Sequence, residues 1–366
     1  PGPLSDFTKM LPLFRSASPW DDGHLIARTA DGVPYPIQFF SDKQPGWGMA
    51  VFAPTGRGKS FLMMMMIMGL LMRPIGKDIP LVTVVDVGPS SRLIMDYCRS
   101  MLMASNPDLA KKIVSVKIRN DKAFAVNLFD TLHGLDMPTQ NDIDFQAGII
   151  MMMCSGLGSE GEMYVRRVIA AAYKRYSRPS RESKYWSSSL DDELNKAVER
   201  AGIKIIPNRT RVWDVVDELF RLGFVSESAR AQRYAMPILD DLVAASADHT
   251  LRDYEQAKTP SGEYLRDVFA RQISEAVNSY ELLAGVTQYD LGAARAVSLD
   301  MEEVVKSSSG DTANNRKAIM YLYGRRLAAQ KYFLRWEEIE KMVPDEYRGY
   351  LKDQVDATWV APKFLA

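Results

Sequence analysis

The run Ala53-Pro54-Thr55-Gly56-Arg57-Gly58-Lys59-Ser60 has the residue types and spacing of a loop that grips a polyphosphate. It fits the pattern G-x-x-x-x-G-K-[ST] at every fixed position except the first, where Ala53 stands for glycine. Gly56 and Gly58 admit backbone conformations and a close approach that a Cβ would block, so successive N–H groups can turn inward as a nest for the α- and β-phosphates. A helix starting near Lys59 adds its unpaired amides and the positive end of its dipole. Lys59 then reaches the β- and γ-phosphates of ATP as a point charge, and the Ser60 hydroxyl completes the shell of a Mg2+ ion. Pro54, Thr55, Arg57 and Phe61 flank the nest and are expected to contact the nucleotide. The alternative is a glycine-rich turn with an exposed lysine; the order of strand, loop and apolar helix favours the nest.

Carboxylates are the second requirement. Asp86 closes a β-branched run, where the carboxyl ends of parallel strands meet ligands; it either supports a water of the magnesium shell or caps the turn Gly88-Pro89-Ser90. Lys59 and Asp86 are therefore the expected catalytic residues, with Ser60 the metal ligand. Ile238-Leu239-Asp240-Asp241 has the outline of an acidic Walker B strand, but Pro237 and the surrounding helical spacing place it on a helix. Leu299-Asp300 ends another strand and is expected to cap the helix that opens with Glu302-Glu303. Arg57 and the pair Arg325-Arg326 could act in trans on a neighbour's γ-phosphate, the plain alternative being a solvated role for each.

The elements that must position these groups follow from hydrophobic patterning. Gly48 to Phe52 predicts a short strand leading into the loop, and Ser60 to Leu71 an apolar helix leaving it, in which Met63 to Met66 and Met68 fill core, as Met151 to Met153 do further on. Ile79 to Val87 suits a buried parallel strand, Ser90 to Met103 a helix, Lys112 to Arg119 a strand and Phe124 to Phe129 a shorter one. This alternation implies an α/β fold with a mostly parallel, RecA-like P-loop sheet flanked by helices. The second half of the stretch Val33 to Phe40 suits a strand whose prolines hold it at a sheet edge.

From about Asp142 the pattern becomes helical, with helices expected over Asp142 to Cys154, Met163 to Arg175, Ser189 to Ala201, Val212 to Phe220, Ala229 to Ala247 and Ser261 to Ile273. The polar stretch Ser177 to Ser189 reads as a mobile surface loop. A strand returns at Ala296 to Asp300, then a polar loop Ser307 to Asn315, a helix Arg316 to Leu334, and a last helical stretch through Asp353. The expected organisation is a lead-in plus the first part of a P-loop core over 1–141, a large all-helical insertion over 142–285, and a return to the core over 286–366, ending before any Walker B strand.

The 366 residues suffice for one large domain or two modest ones. Lys plus Arg equals Asp plus Glu at 46 each, so no general basic field holds nucleic acid by counterion release, although a local patch stays open. Two cysteines and three histidines are too scattered for a structural zinc, and Cys98 and Cys154 fall in apolar helical segments that suit buried thiols in a reducing compartment. The longest apolar run, Phe61 to Met72, falls short of the roughly 20 residues of a transmembrane helix. Pro1-Gly2-Pro3 is similar to the scar of a cleaved tag, which predicts a piece of a longer chain.

The segment from Phe52 to Ser60, then Val85-Asp86-Val87-Gly88-Pro89-Ser90-Ser91, then Val126-Asn127-Leu128-Phe129, and finally Val297-Ser298-Leu299-Asp300 resemble the TraC-like ATPases of type IV secretion and conjugation, within the HerA/FtsK superfamily. The lead-in from Leu11 to Trp20 is similar to the type IVB branch, the DotO (IcmB) and IncI TraU group. The resemblance extends over nearly the whole chain and rests most firmly on the P-loop. It implies an ATP- and Mg2+-dependent motor, a homo-hexamer with nucleotide at subunit boundaries, cytoplasmic and peripheral to the bacterial inner membrane, working with the inner-membrane complex and partner ATPases. In that family an Asp-Glu pair lies on a strand after the helix that is here Arg316 to Leu334. The sequence predicts no such strand, and hence weak hydrolysis.

Overall fold

The computed structural model describes residues 17–43, 48–73, 78–289, 291, 294–306, 311–329 and 332–365. The lead-in motif before Ala17, the three opening residues and the first part of the expected loop Ser307 to Asn315 lie outside the described residues. The chain forms an α/β structure that divides into two compact units.

The first unit comprises residues up to Val116 together with Ala294–Asp300 and Ala361–Ala366. A hairpin of β1 (Leu25–Arg28) and β2 (Pro34–Ile37) pairs Leu25 with Ile37 and Arg28 with Pro34. In a two-stranded ribbon each strand is an edge, which is why Pro34 and Pro36 are tolerated. Helix α1 (Lys59–Met72) follows the glycine loop, and Gly69 lets it pass under the hairpin: a Cβ there would fall 2.1 Å from the His24 carbonyl oxygen. The sheet runs β4 (Ile113–Lys117), β5 (Ala296–Asp300), β3 (Leu81–Asp86), β6 (Lys363–Leu365), with β3 parallel to both of its neighbours. One face is covered by α1 and α2 (Ser90–Ser105), with the short α3 (Pro107–Ala110) beside them. Val82, Val84, Ile113 and Ala296 meet Met66, Ile67, Leu70, Leu71, Met95, Cys98 and Leu102 there, and Met63, Met65 and Met68 pack at the margin as core filler. Both cysteines are buried free thiols, Cys98 in this core and Cys154 in the second unit, and burial pushes them up to about 11 and about 12.

Three expectations about the elements are corrected along the chain. Gly48 to Phe52 is not a strand; a strand exists only as a rung of a ladder, and none of the described strands runs beside this segment. Phe124 to Phe129 is not one either. After a 3-10 turn over Lys122–Phe124, its backbone is held by separate bonds, Val126 N to Leu282 O (2.7 Å), Asn127 N to Thr287 Oγ1 (2.7 Å) and Phe129 N to Asn127 Oδ1 (3.0 Å). The short strand β6, which carries no Asp-Glu pair, follows the last helix and pairs Leu81 with Lys363 and Thr83 with Leu365. The helix expected from Arg316 already begins at Asp311.

The second unit takes Lys117–Ala293 and Met301–Val360. Its helices are α4 (Gln140–Met153), α5 (Gly161–Tyr176), α6 (Asp192–Arg200), α7 (Val212–Arg221), α8 (Val225–Ala235), α9 (Asp241–Ala245), α10 (Leu265–Ser279), α11 (Glu302–Lys306), α12 (Asp311–Ala329), α13 (Trp336–Ile339) and α14 (Asp345–Val360). Thr139 and Asp142 close a reciprocal capping box at the start of α4. The helix expected over Ala229 to Ala247 breaks into α8 and α9 at Met236-Pro237, since proline cannot continue the hydrogen-bond ladder.

Residues 301–360, expected to return to the sheet domain, belong here instead. Tyr323 donates to Asn127 O (2.8 Å), Arg326 pairs with Asp142, and Ile339, Val343, Tyr347, Leu351 and Val355 bury against Leu135 and Phe220. The unit boundaries thus fall after Val116, Ala293, Asp300 and Val360, not at 141/142 and 285/286. The stretch Ser177 to Ser189 is also pinned: Trp186 is buried, Trp186 N donates to Thr210 O (2.9 Å), and Lys184 Nζ reaches Met236 O (2.7 Å) and Asp241 (2.8 Å).

His133 gives this unit a pH dependence. Its ring sits among Phe220, Tyr347 and Tyr350, with Nε2 2.8 Å from Ser228 Oγ. Burial, reinforced by the Arg178 charge and opposed by Asp217, pushes the imidazole down to about 4 from 6.5. The folded state therefore binds this proton more weakly than the unfolded chain. The contribution of neutral His133 is complete above pH 6.5 and is lost as pH falls toward 4. Asp130 works in the other direction, since burial raises its carboxyl to about 6 and its contribution is lost as pH rises through that value. Comparing wild type with His133→Phe cancels Asp130. The stability difference is expected to move against wild type by about 3 kcal/mol between pH 7 and pH 4 in denaturant titrations. A difference independent of pH would contradict it.

Candidate phosphate-binding site

The loop between the irregular Val51–Pro54 stretch and α1 is built on two left-handed glycines. Gly56 has φ 78° and Gly58 φ 89°, and Gly58 is the residue that caps α1. A Cβ at either would meet nothing within 4 Å, so glycine is required by backbone conformation and not by a close neighbour. Arg57 N donates to Pro54 O (3.3 Å), closing the turn, and Leu62 N to Gly58 O (2.9 Å) makes the first helical bond. The Lys59 ammonium folds back over the loop, donating to Ala53 O and to Pro54 O (3.2 Å).

Every residue from Pro54 to Phe61 is exposed. No side chain caps α1 and no acid stands in its first turn, so its leading amides and its dipole are not neutralised from within. The loop is therefore an open, electropositive end of a 14-residue apolar helix. Ser60 lies in the first turn beside Lys59. Phe61 (63% exposed) and Phe52 (91% exposed) are exposed apolar side chains on either side of it in the chain.

Asp86 ends β3 half-buried, and its Oδ2 accepts from Ser91 N (3.2 Å) at the start of α2. Of the two roles expected for it, the capping one is present. Lys59 and Ser60 make no hydrogen bond or ion pair to Asp86 among the described residues, so the two expected catalytic residues are not brought into contact. What sequence reasoning undervalued is Asp300. It is 1% exposed and stands in register with Asp86 on the adjacent parallel strand, where neighbours lie about 4.8 Å apart and side chains at one level share a face. Ser91 Oγ lies 2.8 Å from Ser298 Oγ and ties the start of α2 to β5 just below the pair. The signal was available: both strands are β-rich runs that end in Asp, Val84-Val85-Asp86 and Ser298-Leu299-Asp300.

The other candidates sort cleanly. Asp240 and Asp241 lie at the start of α9 in the helical unit, where Asp241 pairs with Lys184 at 2.8 Å and accepts from Tyr176 Oη (3.0 Å). Arg326 is held by Asp142 and lies 5.1 Å from the Phe145 ring centroid, whereas Arg57 and Arg325 are exposed. No helix of the described residues is long and apolar enough to cross a membrane. Comparison of the chain with known protein families, with curated proteins and with solved structures finds no match.

Proposed function

We propose that the chain binds the polyphosphate of ATP through Ala53–Ser60 and works as the RecA-like motor subunit of a type IVB-like secretion or conjugation system. The observation that carries this reading is the exposed loop of two left-handed glycines ending on an uncapped apolar helix, with Lys59 folded over its carbonyls. Those residues fit a triphosphate: the loop and first-turn amides take its oxygens, Lys59 neutralises the β- and γ-phosphates, and Ser60 would hold Mg2+, which supplies charge neutralisation when bound. Asp86, with Asp300 beside it, would supply the acidic side of the pocket. In a hexamer an arginine from the neighbouring subunit would complete the site; Arg57 and Arg325 are free for that role and Arg326 is not.

Assignment to the TraC-like family, with its inner-membrane partners and cytoplasmic setting, rests on the sequence resemblance. A DNA-translocating motor of the same superfamily is the second reading, made weaker by the balanced charge of the chain. A nucleotide-binding scaffold is the third, because β6 carries Lys363, Phe364 and Leu365 and no carboxylate. ATP turnover measured with and without duplex DNA separates the three. Turnover indifferent to DNA is expected. Several-fold stimulation would favour the translocase, nucleotide binding without turnover the scaffold, and no nucleotide binding at all would overturn every version.

A further inference from the structure

We propose that the helical unit carries a second oxyanion site, for the phosphoryl group of a small soluble phosphomonoester, in the cavity between residues 119–121 and helices α11 and α12. The cavity measures about 340 Å³ and is lined by residues 119–121 together with Glu303, Val304, Arg316 and Met320. Two guanidinium groups face it with donors unused. Arg119 Nε and Arg316 Nε are both buried and have no hydrogen-bond acceptor. A buried N–H left unsatisfied is costly, so a ligand rich in acceptors gains what the folded chain lacks.

The charges in the cavity are not balanced. Glu303 is shared between Lys117 (2.7 Å) and Arg119 (2.8 Å), the latter outside hydrogen-bonding geometry. Asp121 Oδ1 accepts from Ala123 N (2.8 Å) as the cap of the 3-10 turn. Arg316 has no ion-pair partner among the described residues; its neighbour is the Tyr280 ring, 5.7 Å from the guanidinium carbon. Arg119 likewise lies 5.2 Å from the Phe124 ring centroid. Aromatic stacking leaves the planar guanidinium edges for hydrogen bonding, and two such forks match the several oxygens of a tetrahedral dianion better than a single carboxylate. Val304 and Met320 supply an apolar wall for the carbon part of an ester. The site is independent of the P-loop and does not rest on the motor reading.

The test uses the Lys59→Ala chain, in which phosphate binding at the glycine loop is weakened, titrated with inorganic phosphate and with glycerol 3-phosphate in a calorimeter. Saturable binding of both is expected. Arg316→Gln should weaken it about tenfold or more, Arg316→Lys should weaken it less, and Glu303→Gln should tighten it several-fold by releasing Arg119 and Lys117. Absence of saturable binding in Lys59→Ala, an affinity unchanged by Arg316→Gln in a folded chain, or acetate binding as tightly as phosphate would overturn the proposal. Should Arg316→Gln fail to fold, Glu303→Gln decides alone, and unchanged or weaker binding counts against the site. Arg316-dependent sedimentation with phosphatidylglycerol vesicles would overturn the assignment to a soluble ligand.

Discussion

Replacing Lys59 with alanine is expected to weaken binding of Mg2+-ATP by about 100-fold, the equivalent of one strong charge-assisted contact of about 3 kcal/mol. The effect is local to the loop. Lys59 is exposed and, among the described residues, its ammonium bonds only to the loop carbonyls of Ala53 and Pro54, so its removal takes nothing from the core built by Met66, Ile67, Leu70 and Leu71. The leading amides of α1 remain in the variant, which is why residual binding is expected. The melting temperature should stay within a degree or two of wild type, which separates lost affinity from lost fold. Equilibrium titration with a fluorescent ATP analogue checks this; a change below about threefold would mean that the ammonium does not meet the phosphates.

The largest effect on stability is expected at Arg178 in the helical unit. Its guanidinium donates to Asp217 through Nε (3.1 Å) and Nη2 (2.9 Å) and to Gly134 O through Nη1 (2.9 Å), and lies 4.1 Å from the Trp213 ring centroid. Burial alone would lower its pKa, but the Asp217 hydrogen bonds and charge outweigh that and hold it above the ordinary value. Arg178→Ala leaves Asp217 partly buried with only the Tyr347 hydroxyl (2.8 Å), and leaves the Gly134 carbonyl without this donor. Breaking a buried pair in this way costs about 3–5 kcal/mol. Arg178→Lys keeps the charge and loses the fork, and should recover only part of the loss. Unfolding in urea followed by tryptophan fluorescence provides the measurement, and a loss under about 1 kcal/mol would show that the pair behaves like an exposed one.

Local signals carried most of what the sequence allowed to be read. The buried strand at Leu81–Asp86, the strand at Ala296–Asp300 and the helices of the second unit were legible because their periodicity and their caps agree with the final packing. Gly48 to Phe52 misled because its apolar composition says nothing about whether a neighbouring strand is there to pair with it. The placement of residues 301–360 was illegible for a related reason: an amphipathic helix announces that it has a face to bury, not which unit will bury it. Loop mobility at Ser177 to Ser189 was misjudged because polar composition hid Trp186 and the Lys184–Asp241 pair, contacts with partners far along the chain. At the candidate site the glycine conformations followed directly from the motif. The Asp86–Asp300 register required knowing which strands are neighbours, and the more than 200 intervening residues, most of them in the helical unit, conceal it.

The central claim is that the backbone of one loop receives a polyphosphate. Amide resonances of the chain, recorded while Mg2+-ATP is added, test it most directly. The largest shifts are expected at Gly56, Arg57, Gly58, Lys59 and Ser60, saturating with a single affinity, while the amides of the helical unit stay in place. Shifts that spare those five residues at saturating nucleotide would contradict the account.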